Sequence, residues 1–195
     1  MGLAGVKYGI LKRRKLIEGS LYIVSHKLGI LEGDKILSRM MLWLKGYTEH
    51  TIGEFAKHVF DNFMKHNIRN AALEEIEVHR RNKARLVLLT ASVNFICKPI
   101  FEFLGFDDLI CTRMQMIDNM FSGHPQGKIC YGPEKLERSI DYLNHHQQSF
   151  EKSFFYSDSI SDLPMFEAVG NPKAVTPDRK LEKIARKRGW DICVW

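Results

Sequence analysis

Along the first third of the chain, aliphatic and aromatic residues recur at intervals of three and four, as in Ile36, Met40, Met41, Leu44 and then Phe55, Val59, Phe60, Phe63. That period predicts amphipathic helices, and residues 8 to about 66 hold no convincing strand. Three helices are expected, broken at "KLGILEGD" and "KGYTEHT", where Gly29, Gly33 and Gly46 supply turns and Asp34 and Thr48 are candidate caps. From Asn70 the pattern changes. "NAALEEIEVHRRNKA" reads as a helix with an Asn cap, followed at once by "RLVLLTAS", a branched apolar run of the kind buried in parallel sheets.

The alternation then repeats. A helix over 93–104, strand "DLICTR", a hairpin through "MQMIDNMFSGHPQG", a helix from Pro133 to His145, strand "SFFYS", helix "DLPMFEAVG", strand "KAVT", helix 177–188 and strand "WDICVW" follow in order. Strands alternating with helices predict an α/β fold: a doubly wound, mostly parallel sheet covered on both faces. Its ligands belong at the carboxyl ends of the strands, so the loops "TAS" and "SDSISD" matter most. The expected organisation is a helical piece over 1–68 and an α/β piece over 69–195. No repeat or low-complexity tract interrupts it.

Composition changes this picture little. With 195 residues, 45% of them hydrophobic and 27% charged, the chain has the make-up of an ordinary soluble globular protein. The net charge of +6 concentrates in "KRRK" at 12–15 and "DRKLEKIARKRGW" at 178–190, and in the second the apolar residues Leu181, Ile184 and Ala185 keep helical spacing. It therefore reads as the solvated face of a surface helix, and a nucleic-acid partner is not expected. Cys97, Cys111, Cys130 and Cys193 form no CxxC pair and fit reduced thiols in a cytoplasmic protein. The basic and apolar start lacks a small-x-small cleavage site, and no apolar run approaches the roughly 20 residues that a membrane span needs.

The chemistry gathers at "YSDSISD". Asp158 follows a strand directly and Asp162 opens the next helix. Two carboxylates in one turn without a neighbouring basic residue repel unless a cation lies between them, and Mg2+ suits hard oxygen ligands of this kind. They could equally cap a loop and a helix, and the spacing alone leaves both readings open. Their company favours the first. Thr90, with the amides of Ala91 and Ser92, sits at a strand end before a helix N-terminus, and Lys135 starts a helix in "CYGPEK". Hydroxyl, amides, lysine and carboxylates are the parts that hold a phosphoryl group and neutralise its charge.

These stretches resemble the haloacid dehalogenase superfamily, and within it the phosphoserine-phosphatase-like subfamily IB. "LVLLTAS" matches the second motif, Lys135 the third, and "YSDSISDLPM" the fourth, with "VGNPKAVTPDRKLEKIARKRGWDI" continuing in the subfamily's manner. The resemblance implies a Rossmann-like core over 69–195, with residues 1–68 as the helical cap. It also implies a magnesium-dependent phosphomonoester hydrolase acting on a small phosphorylated metabolite. Thr90 would bind the phosphoryl oxygens, Lys135 would stabilise phosphate and nucleophile, Asp158 would ligate Mg2+, and Asp162 would support that metal directly or through water. Ser92 and Asn94 would lie near the phosphate or cap a helix.

The superfamily's first motif, Asp-x-Asp-x-Thr or Val, supplies the nucleophile and the acid–base group, and no aspartate here is followed two residues later by another. Asp107 and Asp108 are adjacent and would face opposite sides of a strand. The resemblance thus implies that the central first strand is missing and that Met1 begins inside the segment leading to the cap. Either a longer natural polypeptide carries the nucleophile, or the chain is a truncated or decayed non-catalytic form that binds phosphate or metal or serves as an interaction domain. Oligomeric state is not legible.

Other patterns carry less. His50, His58 and His66 fall eight apart on expected helices and read as surface residues, while His145 and His146 suit a helix C-terminus. "GHPQGK" at 123–128 lacks the Ser or Thr of a P-loop and reads as the hairpin turn. No GxSxG elbow is present.

Overall fold

A computed structural model describes residues 33–195; the helix expected before Gly29 and the "KRRK" cluster lie outside the described residues. Contacts divide the chain into two compact units, one comprising the chain up to Ile68 with Arg85–Ile129, the other Arg69–Ala84 with Cys130–Trp195.

In the first unit, helix α1 (Gly33–Met41) leads through a short 3-10 turn to α2 (Glu49–Val59). Thr48 caps α2, its hydroxyl accepting from the Thr51 amide at 3.2 Å. Asp34 is not outside its helix as a cap but within the first turn, where it accepts from the Lys35 amide. Strand β1 (Val87–Val93) pairs in parallel with β2 (Asp108–Thr112), and α4 (Asn94–Leu104) connects them. Helix α2 packs on α4, and its buried stripe of Ile52, Phe55, Ala56 and Val59 accounts for the three-and-four spacing of the sequence.

A hairpin, β3 (Met114–Ile117) and β4 (Met120–Pro125), follows. Its turn is Asp118–Asn119, both at positive φ, and "GHPQGK" is not the turn: Gly123 to Pro125 end strand β4. Asp and Asn tolerate the left-handed region that a two-residue hairpin demands, which explains the placement. Phe121 of β4 packs against Phe95 of α4 with ring centroids 4.3 Å apart.

The second unit holds α3 (Asn70–Arg81), α5 (Pro133–His145), β5 (Phe154–Ser157), α6 (Leu163–Ala168), β6 (Asn171–Val175), α7 (Arg179–Arg188) and β7 (Asp191–Cys193). The strands form one parallel sheet in the order β5-β6-β7. Asn70 is the first helical residue of α3, and the cap position is Arg69, which makes no side-chain cap bond. Helix α7 buries Leu181 and Ala185 and exposes its basic residues, of which Arg186 pairs with Glu182 and Arg188 with Glu167. Together the units give a mixed α/β fold with parallel sheets. Neither β1 nor β5 has a ladder partner on its second edge among the described residues. No described helix is long and apolar enough to cross a membrane. None of the four cysteines forms a disulfide, and three of them are buried.

Side chains alternate between the two faces of β5. Phe155 points into the core and meets Phe166 edge-on, while Phe154 and Tyr156 face the other way, toward His79. The Tyr156 hydroxyl donates to Glu75 Oε1 at 2.6 Å and lies 2.8 Å from His79 Nε2, and its ring stacks on Trp195. Burial first, and the Glu75 carboxylate second, hold this phenol well above its ordinary value of 10.0. The folded state thus favours the neutral phenol, so this contribution to stability is complete below about pH 10 and is lost as pH rises past it, where the unfolded chain ionises first. The urea midpoint is expected to fall above about pH 10, and Tyr156→Phe to make that fall shallower. Superimposable alkaline slopes for the two proteins would contradict this.

Candidate active site

Ser157 lies on the Phe155 side of β5, and this determines what it reaches. Its hydroxyl donates to Asp162 Oδ2 at 2.7 Å. The same oxygen accepts from Lys135 Nζ, also at 2.7 Å. Lys135 is brought there by α5, which starts at Gly132–Pro133: Gly132 has φ 55 and ψ −126, a backbone conformation reserved for glycine, and Pro133 fits the first helical turn. Both charged side chains are buried, at 11% exposure for Lys135 and 3% for Asp162.

The other carboxylate oxygen, Asp162 Oδ1, is buried and has no hydrogen-bond partner. Buried oxygens are rarely left so, because an unmet acceptor costs on the order of 1–3 kcal/mol. Asp162 stands at the N-cap position of α6 yet makes no cap bond, so helix capping does not explain its carboxylate. Nor does the supposed lack of a basic neighbour: Lys135, 27 residues away in sequence, supplies the positive charge. What remains unexplained is Oδ1, and a water or a hard cation is what a buried carboxylate oxygen of this kind takes up.

Asp158 is exposed at the head of the same loop, and its carbonyl accepts from the Asp178 amide at 2.8 Å. Between the two carboxylates the loop is stitched by its own serines, since Ser159 Oγ accepts from the Ser161 amide and lies 2.9 Å from Ser161 Oγ. Asp158 and Asp162 stand at the two ends of this loop, the first exposed and the second buried, and both carry the hard carboxylate oxygens that Mg2+ takes as ligands. Among the described residues no three His, Cys, Asp or Glu side chains come together to complete a protein-only cage.

The second motif stands in the first unit. The β1–β2 register slips between Leu89 and Val93, so residues 90–92 leave the regular ladder. Thr90 Oγ1 accepts from the Ser92 amide at 3.1 Å, and the Ala91 carbonyl accepts from the buried Thr112 hydroxyl at 2.9 Å. The Ser92 amide is thus met within the irregular end of β1 itself. Neither Ser92 nor Asn94 caps α4, whose cap position is Val93 without a side-chain bond.

A haloacid dehalogenase-like hydrolase model matches residues 3–167 of the chain. The chain belongs to that family. It is 30% identical over 189 residues to the inhibition of morphological differentiation protein of Streptomyces azureus, covering 94% of this chain and 68% of that protein. It is 27% identical over 168 residues to a histidinol-phosphatase of Neisseria meningitidis serogroup C, covering 84% and 76%. A Bordetella pertussis protein of unknown function shares the fold at a TM-score of 0.83 and 24% identity, over 93% of this chain and 81% of that one. Within this dehalogenase-like chain, sequence reasoning passed over Ser157 and Asp178. The pattern "TPDRK" does carry a visible helix-cap signal at Asp178, but nothing local announces that either side chain touches the acidic loop.

Proposed function

We propose that this chain is the body of a magnesium-dependent phosphomonoester hydrolase, phosphoserine-phosphatase-like, acting in the cytoplasm on a small phosphorylated metabolite. The observation that carries the reading is Asp162 Oδ1, a buried carboxylate oxygen without a partner, beside a buried lysine in a family motif. A relative named histidinol-phosphatase supports a phosphate monoester as the substrate class. Residues 1–68 are assigned as the helical cap and 69–195 as the core.

In this reading Asp158 and Asp162 hold Mg2+, which would draw negative charge from the phosphoryl oxygens. Lys135, anchored by Asp162, whose Oδ2 also accepts from Ser157, places its positive charge beside that pair and offers it to phosphate. From its motif, Thr90 binds phosphoryl oxygens with the Ala91 amide, and the Ser92 amide joins them on leaving Thr90 Oγ1. The nucleophilic aspartate, which would accept the phosphoryl group as an aspartyl-phosphate, comes from residues that this sequence does not contain. That same absence favours one rival reading, a non-catalytic domain that keeps the phosphate or metal site.

Phosphate release from p-nitrophenyl phosphate separates them, using the polypeptide purified from its own cells beside the 195-residue chain. Turnover by the cellular polypeptide that EDTA abolishes and Mg2+ restores is expected, with the 195-residue chain inert. A cellular polypeptide that is equally inert with Mg2+ would sink the enzyme reading.

A further inference from the structure

Asp178 joins two pieces of the second unit that the sequence keeps apart. Its Oδ1 accepts from the Lys180 and Leu181 amides at 2.9 Å, capping α7. Its Oδ2 accepts from the Ile160 amide at 2.7 Å, and its own amide donates to the Asp158 carbonyl at 2.8 Å. The two backbone contacts land inside "DSISD", one on Asp158 and the other midway to Asp162. An ordinary helix cap uses only the first set of bonds.

We propose that Asp178 is a positioning residue, which clamps the Asp158–Asp162 loop onto the start of α7 and fixes the separation of the two carboxylates. The proposal rests on the reading of these carboxylates as cation ligands. The loop between them has no regular structure except the short turn Ile160–Asp162, so its shape depends on such ties. Removing the Ile160 bond frees the middle of the loop and lets Asp158 drift from Asp162. Groups that orient metal ligands typically contribute tenfold to a hundredfold in affinity.

Chemistry separates the clamp from the cap. Asp178→Ser keeps a short oxygen suited to capping α7 but is too short to reach the Ile160 amide at the same time. Asp178→Ala removes both functions. Mn2+ titration of the full chain, followed by the electron-paramagnetic-resonance signal of free Mn2+, is the readout, with thermal midpoints measured in parallel. Asp178→Ser is expected to weaken Mn2+ binding about tenfold or more while its midpoint stays near that of the parent. Asp178→Ala should lose as much affinity and melt lower. Affinity within twofold of the parent for Asp178→Ser, with Asp158→Asn clearly weakened, would overturn the clamp and leave the metal site standing. If Asp158→Asn and the parent bind alike, or the parent binds no Mn2+, the metal reading fails and the clamp with it.

Discussion

Replacing Lys135 with methionine is expected to lower the unfolding free energy of the metal-free chain by about 3–5 kcal/mol, since it strands a buried carboxylate. For a chain of this size that corresponds to a fall in melting midpoint on the order of 10 °C. The reason is the geometry at Asp162: Oδ2 receives Lys135 and Ser157, and Oδ1 receives nothing. Without the ammonium, a carboxylate at 3% exposure keeps one hydroxyl donor and no counter-charge. Asp162→Ala should cost a similar amount by stranding the ammonium, whereas the double change Lys135→Met with Asp162→Leu should cost much less than the sum, because neither charge is then buried alone. Denaturant melts of the four proteins complete the cycle. A loss below about 1 kcal/mol for Lys135→Met would mean that the pair is hydrated in solution, and the argument from the unpartnered oxygen would fall with it.

Phe166→Ala is the second large effect, expected at about 3–5 kcal/mol. Phe166 is 1% exposed on α6, immediately after the acidic loop. Its ring stands edge-on to Phe155 at 5.1 Å and stacks on Trp190 at 5.4 Å, so it ties α6 to β5 and to the end of α7. Truncation leaves a cavity between two aromatic rings that a parallel sheet cannot collapse to fill. Phe166→Leu restores most of the volume and should cost roughly 1–2 kcal/mol. Chemical denaturation followed by circular dichroism measures both. Near-equal stability of the alanine and leucine variants would show that Phe166 is not the packing centre of this unit.

Much of the second unit was legible in advance, and the reasons are local. Pro133 in the first helical turn and the apolar period after it define the helix Pro133–His145, which the structure reproduces. The hairpin is legible in its flanking strands, but the glycines of "GHPQGK" point to the wrong turn, since the Asp118–Asn119 pair supplies the left-handed backbone needed. Asn70 looked like a cap, and the helix simply begins there. At the site the candidate residues were readable as types, while their wiring was not. Lys135 and Asp162 meet across 27 positions, and Asp178 reaches Ile160 across 18. Such contacts depend on how α5, β5 and α7 pack, which no local pattern encodes. The reading that two carboxylates must share a cation because no base is near was overtaken by Lys135, and the case for a cation now rests on one oxygen atom.

The most direct test of that case is to introduce Asp158→Asn into the cellular polypeptide and repeat the phosphate-release assay at saturating Mg2+. A loss of at least about a hundredfold in kcat/KM is expected, partly recovered at higher Mg2+ or Mn2+, as when a charged metal ligand is made neutral. Turnover unchanged by Asp158→Asn would contradict it, because the carboxylate at the head of the loop would then have no part in binding a cation.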